Sequence, residues 1–160
     1  GDDLWVTGYL GRAAGGYLDT TPSEASLDAL RRPDPPIAFA LHLANRGLAS
    51  AAMDISDGLA SDVPRLCRAS GVGATIDPGQ IPTHACLTNR EDARQRKLCG
   101  GEDYELLFAS PRRHRNAIVA LAESSGVVVS RVGSLTADRT VHVAGGGWPR
   151  PVYQHFRAAQ

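Results

Sequence analysis

Three aspartates lie close together in the segment MDISDGLASD, directly after the apolar run LASAAM. Asp54, Asp57 and Asp62 would repel one another unless a positive charge sits among them. A tight turn at Asp57-Gly58 would let carboxylates three positions apart converge on one cation, and such hard oxygen ligands suit Mg²⁺. The Ser56 hydroxyl and the backbone N–H groups of a following helix could then hold phosphate oxygens. The segment therefore predicts a magnesium and phosphate site.

A second acidic motif, GGEDYE at residues 100–105, stands at the start of a predicted strand. Its two neighbouring glycines would let a ligand or another strand approach the backbone closely. A purely structural interpretation stays open for both motifs. In that case Asp57 or Asp62 caps a helix, Ser56 is a turn hydroxyl, and the glycines form an ordinary loop.

Other common catalytic and metal-binding signatures are missing from the sequence. It contains no G-x-x-x-x-G-K-[ST] phosphate loop, no H-E-x-x-H, no G-x-S-x-G and no complete G-x-G-x-x-G. The three cysteines, Cys67, Cys86 and Cys99, are widely spaced, which argues against a disulfide framework or a structural zinc site. A reducing cytosol fits this cysteine usage best, so we expect a cytoplasmic protein.

Charge and composition give no sign of a nucleic-acid or membrane partner. Seventeen basic and 17 acidic residues leave a formal net charge of +0, so no global field attracts polyanions. Arg112, Arg113 and Arg115 are interpreted as a solvated helix start, because no aromatic residues interleave with them. No stretch approaches the roughly 18 consecutive apolar residues of a membrane span, and the opening GDDLWVTG lacks the order of a signal peptide.

Alternating strand and helix patterns predict an α/β (α+β) fold with a mixed sheet flanked by helices. A chain of 160 residues with 42% hydrophobic content is large enough for one domain with its own core. Capping and periodicity predict helices over residues 10–18, 23–32, 36–45 and 59–70, the last with a kink or late start at Pro64, and a further helix from 110 to 124. Strands are predicted at residues 3–7, 48–53, 73–77, 104–108, 127–132 and 140–143.

The two ends of the chain carry further expectations. The opening GDDLWVTG has the pattern of a strand already in progress and no initiator methionine, so we expect a fragment of a longer protein. Near the other end, Tyr153 and Phe156 either pack the tail onto the core or stack on a substrate.

Four segments together resemble a known family: GDDLWVTGYLG, AAMDISDGLASDVPRLCRASGVGATID, GGEDYELLF and the tail VYQHF. They are similar, in order and separation, to the C-terminal half of thiamine-monophosphate kinases. The resemblance covers nearly the whole chain. It implies a fold like the C-terminal domain of aminoimidazole ribonucleotide synthetase, with residues 1–160 as the single C-terminal domain of a two-domain, ATP-dependent kinase.

The resemblance also implies a reaction and a set of site residues. The reaction is ATP- and Mg²⁺-dependent phosphorylation of thiamine monophosphate to thiamine diphosphate, with no nucleophilic side chain required. The residues that match family positions are Asp54 and Asp57 for magnesium, Ser56 for the nucleotide phosphates, Glu102 and Asp103 for the substrate, and Tyr153 for an aromatic near the thiamine.

The part of the family that this sequence does not contain has consequences of its own. The N-terminal half supplies further metal-binding aspartates, much of the ATP contact and the interface of the expected homodimer. The resemblance therefore implies that the isolated domain is inactive or nearly so. In addition, PDPPIAFALHL lacks the basic residue and glycine of a P-x-R-x-x-x-G pattern, which leaves the contribution of this helix open.

Two other functions stay open from the sequence. One is a non-catalytic metal- or phosphate-binding domain that serves as an assembly surface. The other is a related ATP-dependent synthetase that acts on another small acceptor.

Overall fold

The computed structural model of the protein describes residues 1–148, so the predicted aromatic contact of Tyr153 lies outside the described residues. Within that range the strands are β1 (Asp3–Thr7), β2 (Ala51–Ile55), β3 (Gly73–Ile76), β4 (Glu105–Ser110), β5 (Val129–Thr136) and β6 (Val141–Val143). The α-helices are α1 (Arg12–Leu18), α2 (Glu24–Arg31), α3 (Ile37–Asn45), α4 (Leu59–Ser70), α5 (Ala93–Cys99) and α6 (Arg115–Ser125). Short 3-10 turns occupy Pro78–Gln80, Ala85–Leu87 and Arg112–His114.

The six strands form one mixed sheet in the order β2-β4-β1-β5-β3-β6. Neighbouring strands run antiparallel except β3 and β6, which are parallel. The mixed sheet flanked by helices confirms the predicted fold class. Strand β1 pairs with both β4 and β5, and all five of its residues are buried.

Each face of the sheet has its own hydrophobic core. Because side chains alternate along a strand, Val6 and Leu107 join α4 and α5 on one face, whereas Trp5 and Phe108 join α3 and α6 on the other. On the second face the rings of Trp5 and Phe108 stack with centroids 6.2 Å apart, and Phe39 of α3 lies 6.1 Å from Phe108. Burial on both faces explains why the central strands are apolar without strict alternation.

Two predicted boundaries near the acidic motifs are wrong. The strand predicted at residues 48–53 begins at Ala51 and continues through Asp54 to Ile55, because Leu48 packs into the α3–α6 core instead of extending the strand. Strand β4 begins at Glu105 because Tyr104 has a left-handed backbone with φ 52°, which a strand cannot accommodate.

The late start expected for α4 is also wrong. The helix begins at Leu59 and continues through Pro64 to Ser70. Proline removes one backbone donor, but Leu59, Val63 and Leu66 are buried in the core, and this apolar face stabilises the helix across Pro64. By contrast, α2 begins where the sequence predicts, because Ser23 caps the helix and its hydroxyl accepts from the Ser26 N–H at 3.2 Å.

The arginines before α6 are not simply solvated. Arg115 donates two hydrogen bonds, of 2.6 and 2.8 Å, to the carboxylate of Asp3 at the start of β1. Asp3 is 1% exposed, and the Arg115 contact, aided by Arg131 and Arg112, lowers the pKa of this carboxyl. The pair therefore ties α6 to the central strand.

The helices of residues 1–148 include none with the length and apolarity needed to cross a bilayer.

We predict that Phe39→Ala lowers the free energy of unfolding by about 3–4 kcal/mol, because it opens a cavity between α3 and Phe108. Ile37 on the same helix is 63% exposed, so Ile37→Ala should cost less than about 0.5 kcal/mol. Urea denaturation monitored by circular dichroism measures both. Similar losses for the two variants would contradict the α3–α6 core.

Candidate functional site

The two acidic motifs meet through their backbones. We call residues 54–58 the aspartate turn and residues 100–104 the GGEDY segment. The Glu102 N–H donates to the Ser56 carbonyl at 2.9 Å, and the Tyr104 N–H donates to the Ile55 carbonyl at 3.0 Å. In the sheet, the β2–β4 pairing ends with Ile55 opposite Glu105. The two loop bonds continue this pairing beyond the end of the sheet. The two acidic motifs therefore lie side by side.

Glycines make this close approach possible. A Cβ on Gly101 would lie 2.5 Å from the Ser56 carbonyl oxygen, and a Cβ on Gly58 would lie 2.7 Å from the Gly100 carbonyl oxygen. Gly58 also has a φ of 91°, which other residues rarely adopt. The sequence allowed either a ligand or another strand as the close neighbour of the glycine pair. The structure shows that the neighbour is the backbone of the aspartate turn.

Asp62 anchors the aspartate turn from below. One oxygen of its fully buried carboxylate accepts from the N–H groups of Ser56 and Asp57 at 3.1 and 3.0 Å. Burial raises the pKa of Asp62, while these N–H bonds and the Arg65 charge oppose that rise. The N-cap of α4 is Gly58, without a side-chain hydrogen bond, so neither Asp57 nor Asp62 is the helix cap of the structural interpretation.

The positive charge that the aspartates demand is partly supplied by an arginine. Nη1 of Arg65 lies 2.6 Å from Oδ2 of Asp57 and 2.7 Å from Oδ1 of Asp62. Arg65 was not predicted from the sequence, because only the apolar residues of α4 were considered there. The signal was present, since Arg65 follows Asp62 by three positions and such residues lie on the same face of a helix. The single positive charge of Arg65 is thus shared by two of the three aspartates.

The charges of Asp54, Asp57 and Glu102 all raise the pKa of Tyr104. The Tyr104 hydroxyl donates to Glu102 at 3.2 Å. The negative charge of Glu102 is the largest cause of a raised Tyr104 pKa, followed by burial and the hydrogen bond, and then by the charges of Asp54 and Asp57. Three of the four acidic site residues predicted from the sequence, all except Asp103, therefore contribute to the raised pKa of Tyr104.

The donor set fits Mg²⁺ in chemical kind. Asp54 is exposed on β2, and Asp57 is mostly buried, with 12% of its side chain accessible. Among residues 1–148, no three His, Cys, Asp or Glu side chains are grouped closely enough to hold a metal ion by themselves. Mg²⁺ usually takes only one or two carboxylates and completes its shell with waters and phosphate oxygens, so Asp54 and Asp57 suffice only together with such ligands.

The GGEDY segment is held in an unusual conformation. Glu102 and Tyr104 both have left-handed backbones, with φ of 70° and 52°, and such residues cluster at functional sites. Between them, Asp103 turns inward, and its carboxylate accepts from the N–H groups of Gly11 and Ala13 at the start of α1. Asp103 therefore fixes the segment to α1 and leaves Glu102 exposed at the surface. A direct substrate contact by Asp103 stays a prediction.

Ser56 is partly buried, and both of its backbone polar groups are hydrogen-bonded. Its N–H donates to Asp62, and its carbonyl accepts from Glu102. The described part of the chain offers its hydroxyl no hydrogen-bond partner. The hydroxyl is thus available for an external acceptor or donor.

Supporting contacts around the site were missed because they link residues far apart in sequence. Thr7 of β1 donates to the Glu105 carboxylate at 2.5 Å and accepts from the Leu106 N–H at 2.8 Å. Tyr17 of α1 accepts from the Gly101 N–H at 3.2 Å. Burial raises the pKa of Glu105, although the Thr7 bond opposes the rise. The one local signal was Gly8, whose φ is 60° and whose Cβ would overlap the Glu105 carboxylate.

The mixed sheet and its two adjoining acidic loops define a domain of a known class. Residues 1–145 match the family described as AIR synthase related protein, C-terminal domain, and the chain belongs to that family. Within it, the sequence is similar to thiamine-monophosphate kinases. It is 35% identical over 150 residues to those of Salmonella typhimurium and Escherichia coli, an alignment that covers 86% of this chain and 46% of each relative. The resemblance noted from the sequence is thereby confirmed.

Solved structures agree with the sequence relatives. The thiamine-monophosphate kinase of Stenotrophomonas maltophilia aligns with a TM-score of 0.83 and 36% identity, over 92% of this chain and 51% of that one. AaThiL complexed with AMPPCP and TMP aligns with a TM-score of 0.80 and 27% identity, over 98% of this chain and 52% of that one. The Escherichia coli hydrogenase maturation protein HypE shares the fold, with a TM-score of 0.68 at 21% identity over 91% of this chain and 46% of that one. The chain spans about half the length of the curated relatives it matches.

We predict that Gly101→Ala destabilises the protein by about 2 kcal/mol or more, because the new methyl group would force the aspartate turn away from the GGEDY segment. A Cβ on Gly147 would meet no atom of residues 1–148 within 4 Å, and the φ of Gly147 lies outside the left-handed region. Gly147→Ala should therefore lie within about 0.5 kcal/mol of the wild type. Chemical denaturation compares the two. An unchanged stability of Gly101→Ala would contradict the close backbone contact.

A second prediction concerns Asp103. Burial raises the pKa of its carboxyl group from 3.8 to about 6, although the hydrogen bonds from the Gly11 and Ala13 N–H groups oppose the rise. The folded chain then holds a proton that the unfolded chain has released. The stabilisation from this group is therefore fully present below pH 4 and is lost as the pH rises through about 6. The free energy of unfolding of the wild type, relative to Asp103→Asn, should fall by up to about 3 kcal/mol from pH 4 to pH 7. A difference that stays constant or rises with pH would contradict it.

Proposed function

We propose that this chain is the C-terminal, metal- and substrate-binding part of a thiamine-monophosphate kinase, which transfers the γ-phosphate of ATP to thiamine monophosphate in a Mg²⁺-dependent reaction. The observation that carries the proposal is the meeting of the aspartate turn and the GGEDY segment through two backbone hydrogen bonds, which brings the segment that contains Asp54 and Asp57 next to the one that contains Glu102. The similarity to thiamine-monophosphate kinases and the complex of AaThiL with AMPPCP and TMP support it.

The chemistry of phosphoryl transfer suits such a site. The reaction depends on charge neutralisation and in-line positioning more than on a protein nucleophile, and we assign no catalytic nucleophile. Mg²⁺ held by Asp54 and Asp57 would supply neutralisation of the phosphate charge. The hydroxyl of Ser56, which lies between these two aspartates in the sequence, would donate to a nucleotide phosphate oxygen.

On the substrate side, Glu102 is the proposed contact for thiamine monophosphate. It is exposed, and its conformation is fixed from both sides by the backbone bond to Ser56 and by the attachment of Asp103 to α1. A preorganised carboxylate loses little conformational entropy on binding. Asp103 then acts mainly by positioning Glu102, and Tyr153 remains the proposed aromatic neighbour of the thiamine.

The remainder of the proposed enzyme lies outside this chain. Because the chain spans about half the length of its relatives, we propose that a further domain completes the ATP site and forms a homodimer interface. The chain alone would then be inactive or nearly so. We propose that the enzyme is cytoplasmic. Its product would be thiamine diphosphate.

We expect Asp57→Asn to lower kcat/KM for thiamine monophosphate by at least about 100-fold, because it removes a charged magnesium ligand. The assay uses the protein as its gene encodes it, with ATP and Mg²⁺, and detects thiamine diphosphate by chromatography. Asp28→Asn is the matched control, since Asp28 is 63% exposed and lies only 3.9 Å from Arg32 in a surface pair; it should retain activity within about twofold.

Near-normal turnover by Asp57→Asn would contradict the assigned magnesium site. Absence of turnover in the wild-type protein, with thiamine monophosphate and with other small acceptors, would instead favour the non-catalytic assembly domain.

A further inference from the structure

Arg65 of α4 occupies the position at which a cation would approach Asp57. Its Nη1 atom lies 2.6 Å from Oδ2 of Asp57 and 2.7 Å from Oδ1 of Asp62. One guanidinium nitrogen thus bridges both carboxylates. The Asp57 bond is the largest cause of a raised Arg65 pKa, which agrees with a direct ion pair.

We propose that Arg65 is an internal counter-ion that competes with the divalent cation for Asp57 and so sets the metal affinity of the site. This inference rests on the proposed function, because it requires Asp57 to be a metal ligand. The proposal adds Arg65 as a residue that controls how tightly Asp57 binds the metal ion.

The competition follows from distance and charge. Mg²⁺ binds carboxylate oxygens at about 2.0–2.1 Å, and Nη1 of Arg65, 2.6 Å from Oδ2 of Asp57, occupies one of the directions from which a cation could reach that oxygen. Even a metal ion on the other oxygen would lie within a few Å of the Arg65 charge, and like charges at such distances repel strongly. A metal ion at Asp57 and the Arg65 guanidinium therefore compete for the same carboxylate.

The two aspartates differ in how much they need Arg65. Asp62 keeps two backbone N–H donors, from Ser56 and Asp57, when Arg65 leaves, so the aspartate turn retains its anchor. Arg65 itself is 43% exposed, and its long side chain can move into solvent without opening the core. The structure therefore permits exchange of arginine for metal at Asp57 without unfolding the turn.

The test measures metal binding directly, with Mn²⁺ as the probe for Mg²⁺ and free Mn²⁺ detected by electron paramagnetic resonance. Arg65→Gln should tighten Mn²⁺ binding by about five- to tenfold, because it removes a positive charge beside the ligand. Arg68→Gln removes the same charge from an exposed position one turn further along α4 and should stay within about twofold of the wild type. Circular dichroism checks that each variant is folded.

A second readout follows Arg65 itself. Addition of diamagnetic Mg²⁺ should shift the Nε–H nuclear magnetic resonance signal of Arg65, which is assigned by its absence in Arg65→Gln. In Asp57→Asn the same addition should leave the Arg65 signal unchanged, because the carboxylate for which Arg65 and Mg²⁺ compete is absent. Unchanged or weaker Mn²⁺ binding by Arg65→Gln would overturn the proposal, as would an Arg65 signal that ignores Mg²⁺ in the wild type.

These outcomes are separable from the fate of the proposed function. If the wild type phosphorylates thiamine monophosphate while Arg65→Gln binds Mn²⁺ as the wild type does, the counter-ion is wrong and the kinase stands. If Arg65→Gln binds Mn²⁺ more tightly but the protein as its gene encodes it phosphorylates no thiamine monophosphate, the counter-ion stands and the kinase is wrong.

Discussion

The backbone contact between the aspartate turn and the GGEDY segment is the constraint on which the rest of the site depends. Two hydrogen bonds, Glu102 to Ser56 and Tyr104 to Ile55, join segments that are more than forty residues apart. The contact needs glycine at positions 58 and 101, since a Cβ at either one would collide with backbone atoms. Residues without side chains thus decide where the charged side chains meet.

Around that contact the fold distributes two kinds of acidic residue. Asp62 and Asp103 are turned inward and accept hydrogen bonds from backbone N–H groups, and the second oxygen of Asp62 is paired with Arg65, so these two residues hold the loops in shape. Asp54 and Glu102 are exposed and are available to bind ligands. Asp57 combines both properties, because it belongs to the aspartate turn but is paired with Arg65. For this reason we propose that metal binding is controlled at Asp57.

Local chemistry made much of this predictable. The DISDG and GGEDYE motifs, the Ser23 cap and the strand at Asp3–Thr7 all follow from short-range patterns, and the structure contains them. The pairing of Arg65 with Asp57, the Thr7–Glu105 bond and the inward turn of Asp103 were not predicted. Each depends on tertiary contacts or on left-handed backbone at non-glycine residues, which periodicity and propensity do not encode.

The central claim is that the aspartate turn and the GGEDY segment form one metal-linked site. Mapping of paramagnetic broadening by Mn²⁺ across the backbone amide signals of the protein tests it most directly. The account predicts that the amides of residues 54–58 and 100–104 broaden together at low Mn²⁺ concentration. Broadening of only one of these segments, or of amides elsewhere in the sheet, would contradict it.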